Sequence, residues 1–150
     1  DTATLILTLD ESASKGISLL NTVPVTDDKG ESFEPYTFTV KNSGTTDAKY
    51  RILLVNDEEK YKEHGCSSLK LDWSNIKYSF SKDNEVATIG NLGTSGGVLT
   101  EGILKTDDKS SYSLKLWIKA EATNEIMNQH FHGLIKVEAI QSDQELPVND

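Results

Sequence analysis

The stretch "NQHFHG", Asn128 to Gly133, sets His130 and His132 two residues apart just ahead of the apolar run "LIKVEAI". In an extended chain residues i and i+2 share a face, so this spacing can offer two imidazoles to one metal ion. A zinc site needs three or four ligands, and the only other histidine and the only cysteine are His64 and Cys66. There is no H-E-x-x-H, and neither His130 nor His132 falls on a predicted helix of any length. The two histidines therefore read as polar loop residues flanking an inward-pointing Phe131, and no metal ligand is assigned. Cys66 follows His64 in "HGC", at the stop of a short helix. Nucleophilic catalysis needs a base within reach of the thiol and a third group to orient it. Local sequence offers neither, and Cys66 reads as a free thiol. No catalytic residue and no cofactor is expected, and the chain is not read as an enzyme.

Two aspartate pairs come next, Asp27 and Asp28 in "TDDKGE", Asp107 and Asp108 in "TDDKSS". Calcium needs six to eight oxygens, and the D-x-[DN]-x-[DN]-G spacing is absent. Aspartate is also a common turn former, because its carboxylate accepts from nearby amides. The sequence leaves a calcium role for these four residues open. "GNLGTSGG" lacks the G-x-x-x-x-G-K-[ST] pattern and reads as a hairpin or crossover loop. Trp117, on the polar side of "YSLKLWIKA", is a candidate surface contact for sugar or protein. The competing reading, that a loop such as "NDEEKYKEHG" covers it, is favoured.

What must position these groups is a set of strands. Alternation of period two puts Tyr36, Phe38 and Val40 on one face of "YTFTVKN", and Tyr112, Leu114, Leu116 and Ile118 on one face of "YSLKLWIKA". Similar runs near 2–9, 16–23, 47–55, 68–73, 76–81, 85–90, 98–104 and 132–141 are separated by turn clusters, with 68–73 and 76–81 read as one bent strand. Many short strands at such spacing predict an all-β, antiparallel sandwich, jelly-roll-like, in one domain spanning 1–150. Leu7, Phe38, Val40, Ile52, Leu54, Tyr78, Leu114, Leu116, Ile118, Ile135 and Val137 are the predicted core. "NDEEKYKEHG" predicts a two-turn helix in a crossover loop, with Asn56 as N-cap and Gly65 as its stop. "EATNEIMNQH" predicts a loop or a single helical turn.

Fifteen Lys plus Arg against 24 Asp plus Glu give a net charge of −9, which repels a phosphate backbone in the absence of a basic stripe. Nucleic acid is not an expected partner. No apolar run approaches the roughly 20 residues that span a bilayer. One cysteine permits no internal disulfide. The chain opens on Asp1 rather than methionine, which carries the expectation that a leader has been removed. A single arginine against fourteen lysines, with many Thr, Ser and Asn, suits a bacterial surface protein.

"LILTLD", "ISLLNTVPVTDDKG" and "YTFTVKNSGTTDAKYRILL", followed late in the chain by "YSLKLWIKAEATNEIMNQHFHGLIKVEAIQ", together resemble the TasA/camelysin family of secreted Gram-positive proteins. Leu5, Leu7, Leu9, Pro24, Asp27, Phe38, Val40, Asn42, Gly44 and Tyr50 carry the likeness. The resemblance implies processing by a SipW-type signal peptidase, an extracellular or cell-surface location, a jelly-roll fold, and a role as a biofilm-matrix or surface-fibre subunit. Self-association or other surface proteins are the partners it implies. Camelysins are also described as metalloproteases, an activity not carried over here because the protease signature is missing. An adhesin-type module reading glycan or protein through its loops is the first alternative, and a camelysin-type metalloprotease using His130 and His132 is the second. "DTATLILTLD" supplies Leu5, Ile6, Leu7 and Leu9 without internal charge, Pro or Gly, and is the candidate strand-exchange segment.

Overall fold

In the computed structural model, residues 5–11, 17–20 and 22–141 are described. The alternating segments become ten strands: β1 (Leu7–Glu11), β2 (Ile17–Leu19), β3 (Pro24–Val25), β4 (Tyr36–Asn42), β5 (Ala48–Asn56), β6 (Ile76–Lys82), β7 (Thr88–Asn91), β8 (Val98–Leu104), β9 (Lys109–Lys119) and β10 (Phe131–Gln141). One sheet has the order β1-β4-β9-β6-β7, with β3 pairing parallel to the end of β9; the other has the order β2-β10-β5-β8. Apart from β3 the pairing is antiparallel. From β4 onward the chain changes sheet at every step except β6 to β7. With β1 and β3 set aside, four strands lie in each sheet, the arrangement of a jelly roll. The fold is an all-β sandwich.

The core lies where the inward sets of both sheets meet. Phe38, Val40, Tyr78, Phe80, Tyr112, Leu114 and Ile118 of one sheet face Ile17, Leu19, Tyr50, Ile52, Leu54, Leu104 and Ile135 of the other. The rings of Phe38 and Phe80 stack on Tyr112 at 5.3 and 5.2 Å between centroids. The Tyr112 hydroxyl is hydrogen-bonded to that of Tyr50, a polar link from sheet to sheet inside the core. Of the predicted core, Leu7, Leu116 and Val137 are only partly buried, packed against its margin.

Three short helices sit in the connections: α1 (Asp27–Glu31), α2 (Glu58–Glu63) and α3 (Leu92–Ser95). Sequence reading anticipated only α2, and its cap is Asp57 rather than Asn56, with Asp57 Oδ1 accepting from the Lys60 amide at 3.1 Å. Gly65 closes that excursion at φ +64°, where a side chain would be strained. Segment 68–73 is not a strand. It makes one parallel bridge, Lys70 to His130, and then enters a 3-10 turn at Trp73–Asn75 whose first amides are served by Asp72. The strand expected at 2–9 is described as strand only from Leu7; residues 1–4 lie outside the described set. None of the described helices is long and apolar enough to cross a membrane.

Candidate metal centre

The alternation of β10 sends Phe131 into the sandwich and His132 to the opposite face, yet both are buried, His132 at 2% exposure. What covers His132 is the α2 crossover. The segment is fastened to the start of β10 by backbone bonds on both sides: Asp57 N to His132 O at 2.8 Å, Leu71 N to His130 O at 2.7 Å, and His130 N to Leu69 O at 2.8 Å. The Tyr61 hydroxyl adds a bond to His130 O at 3.2 Å, and its ring meets His132 edge-on at 5.0 Å. The reading of His130 and His132 as polar loop residues is therefore corrected. His132 is a strand residue under a lid, and His130 is held in a bridge.

After α2, the turn at Gly65 folds Cys66 back, its amide donating to Tyr61 O at 3.0 Å. That places the thiol at 2% exposure beside the two imidazoles. Cys66, His130 and His132 each present a ligand atom, and these atoms lie within 4.8 Å of one another. Among the described residues, this is the one grouping of three or more His, Cys, Asp or Glu side chains whose ligand atoms converge in this way. His64 completes the neighbourhood, stacked on His132 with centroids 4.9 Å apart and itself exposed. All three histidines and the cysteine of the chain thus meet at one end of the β2-β10-β5-β8 sheet, from two segments distant in sequence.

The polar bookkeeping of the cluster is uneven. His132 Nδ1 lies 3.0 Å from the Ser18 hydroxyl, supplied by β2, where Ser18 is the register partner of His132. His132 Nε2 and His130 Nδ1 are buried with no hydrogen-bond partner. A buried polar atom without a partner carries a penalty of order 1–3 kcal/mol. Burial, then the neighbouring His64 and His130, holds the His132 pKa below the ordinary imidazole value, while Asp57 opposes them. That direction favours the neutral imidazole, the form that ligates metals. Burial likewise raises the Tyr61 phenol. Chemically the set is a thiol with two or three imidazoles, the donor types of zinc-class ions.

The other candidate residues do not join this site. Trp117 is not a surface contact: it is 1% exposed. It is covered by α1, not by the α2 crossover, and its indole N–H donates to Asp27 Oδ1 at 3.1 Å. A Cβ on Gly30 of α1 would stand 2.1 Å from the Trp117 ring, so only glycine admits this cover. Asp27 is further engaged by Lys77 at 3.3 Å, and Asp28 lies beside it in the first turn of α1. Asp107, at φ +69°, and Asp108 shape the β8–β9 turn through backbone bonds with Asn42. Leu7 and Leu9 lie on edge strand β1, half-buried, with Leu5 and Ile6 just before it. Ser18 and Tyr61 were missed from sequence, since nothing local marks either as a neighbour of a histidine many residues away. No family model, curated protein or solved structure matches the chain.

Proposed function

We propose that this protein is an extracellular or cell-surface structural subunit that associates with copies of itself by strand exchange, in the manner of a matrix or fibre protein. The observation that carries the reading is the position of β1. Among the described residues it forms the outer edge of its sheet and pairs only with β4, from Leu7 opposite Asn42 to Glu11 opposite Phe38. Its side chains alternate, Leu5, Leu7 and Leu9 half-buried and Ile6 exposed at 42%. An edge strand of this kind can leave its own sheet and complete a neighbour's with the same backbone bonds and the same pockets. The jelly-roll scaffold and the surface-protein composition fit the same role.

An adhesin function through Trp117 loses its physical basis, because the indole is buried beneath α1. A camelysin-type peptidase is not favoured either, because Cys66 and His132 are too enclosed for a peptide to approach. The test is deletion of residues 1–9, compared with Leu5→Lys/Leu7→Lys in the intact chain. The deletion is expected to abolish assembly, and the double substitution to weaken both the monomer and assembly. Fibres from the deleted protein that match the intact protein's by electron microscopy, or an intact protein that stays monomeric at every concentration and pH, would rule strand exchange out.

A further inference from the structure

We infer that Cys66, His130 and His132 form a structural binding site for a zinc-class divalent ion, which clamps the α2 crossover onto β10. This inference is independent of the assembly reading. Its basis is the convergence of the three ligand atoms within 4.8 Å together with two buried ring nitrogens that find no protein partner. Around a tetrahedral zinc, bond lengths of about 2.0–2.3 Å set ligand atoms roughly 3.3–3.6 Å apart, so small side-chain rotations close the site. The donor set, one thiolate and two imidazoles, suits zinc and excludes calcium or magnesium, which take oxygen ligands.

The surroundings supply the outer shell such a site requires. In the tautomer whose Nδ1–H donates to the Ser18 hydroxyl, which the 3.0 Å contact permits, the buried Nε2 of His132 keeps its lone pair free to ligate. A ligating histidine is normally held this way, its second nitrogen fixed by a hydrogen bond. Three protein ligands leave the fourth position to water or to His64, which stacks against His132. Binding displaces the Cys66 thiol proton to solvent and forms one Zn–S and two Zn–N bonds, with no change of oxidation state.

The role follows from what the ligands join. Cys66 ends the α2 excursion, His130 bridges Lys70 at its far side, and His132 is the register partner of Ser18 on β2. One ion therefore ties two stretches of chain together, residue 66 and residues 130–132, across a long sequence separation, where closing a loop removes the most unfolded-state entropy. It would do for this chain what a disulfide cannot, since Cys66 is the only cysteine.

The experiment uses tag-free full chain, stripped with chelator and titrated with Co2+ and then Zn2+. Expected are one equivalent of bound ion, a thiolate-to-cobalt charge-transfer band with intense tetrahedral visible bands, displacement by zinc, and a zinc-dependent rise of the Tm. Cys66→Ser should lose the charge-transfer band, and His130→Gln and His132→Gln should lose stoichiometric binding. Ser18→Ala, which keeps all three ligands, should bind about 10–100-fold more weakly. In the wild-type protein zinc should slow the reaction of Cys66 with a thiol reagent, a readout that does not depend on whether any variant folds. The inference is overturned if cobalt gives no thiolate band, if zinc changes neither the Tm nor the thiol's reactivity, or if folded Cys66→Ser or His132→Gln binds as tightly as the wild type.

Discussion

At the scale of single residues, the candidate site was half legible. His130 and His132 were recognisable as a pair, and so were His64 and Cys66, each two residues apart. What the linear chain hides is that the pairs meet, because the contact depends on the α2 crossover closing over β10. Judging each pair alone left it one or two ligands short. Two such i, i+2 pairs in a chain with no other histidine or cysteine was the available signal. Trp117 shows the same limit from the other side. Alternation assigned it correctly to the outer face of β9, but a face is exposed only if nothing covers it, and α1 does. That cover depends on one atom. Gly30→Ala would drive a methyl into the indole, and overpacking of this kind costs about 1–3 kcal/mol. Denaturant unfolding should show that loss, accompanied by a red shift in tryptophan emission as α1 lifts. Unchanged emission and stability would mean that α1 does not seal Trp117 as described.

At the scale of elements, the long alternating strands β4, β5, β9 and β10 were legible because each keeps one face in the core over many residues. The errors fell on short pieces governed by caps. "TDDKGE" and "GNLGTS" read as turns, yet Thr26 accepts from the Lys29 amide and Asn91 from those of Gly93 and Thr94, and each starts a helix of one turn or slightly more. Segment 68–73 has a strand's composition, but its one bridge leads only to His130. The two sheets are joined in the core by the Tyr50–Tyr112 hydroxyl bond. Burial first, and then that bond, raises the Tyr112 pKa above the ordinary phenol value; burial and the hydrogen bond to Glu11 do the same for Tyr36. A phenol whose folded pKa is raised ionises first in the unfolded chain. Its contribution is complete below the unfolded pKa and is lost as pH climbs past about 10. Stability measured by denaturant should therefore fall steadily above that pH, and Tyr112→Phe should make the fall shallower. A flat profile, or one indifferent to the substitution, would contradict the pairing.

At the scale of the whole molecule, the strand exchange proposed above would have a kinetic consequence. β1 is pinned to β4 by its backbone ladder and also by the Tyr36 hydroxyl, which donates to the Glu11 carboxylate. In an exchanged assembly the same bond would form between the β1 of one copy and the β4 of the next. Removing it therefore weakens monomer and assembly alike and leaves their balance almost unchanged. The barrier is different, because β1 must leave its own sheet before it can enter another, and the undocked state lacks the bond in either case. A net hydrogen bond of about 0.5–1.5 kcal/mol corresponds to a release rate roughly two- to tenfold higher. Tyr36→Phe should then assemble faster than the wild-type protein at equal concentration while reaching a similar final extent. Amide hydrogen exchange across β1 should rise in the monomer by a similar factor. If exchange in β1 rises while the assembly rate stays the same or falls, release of this strand does not control association, and another edge, β7, β2 or β8, must be the one that pairs.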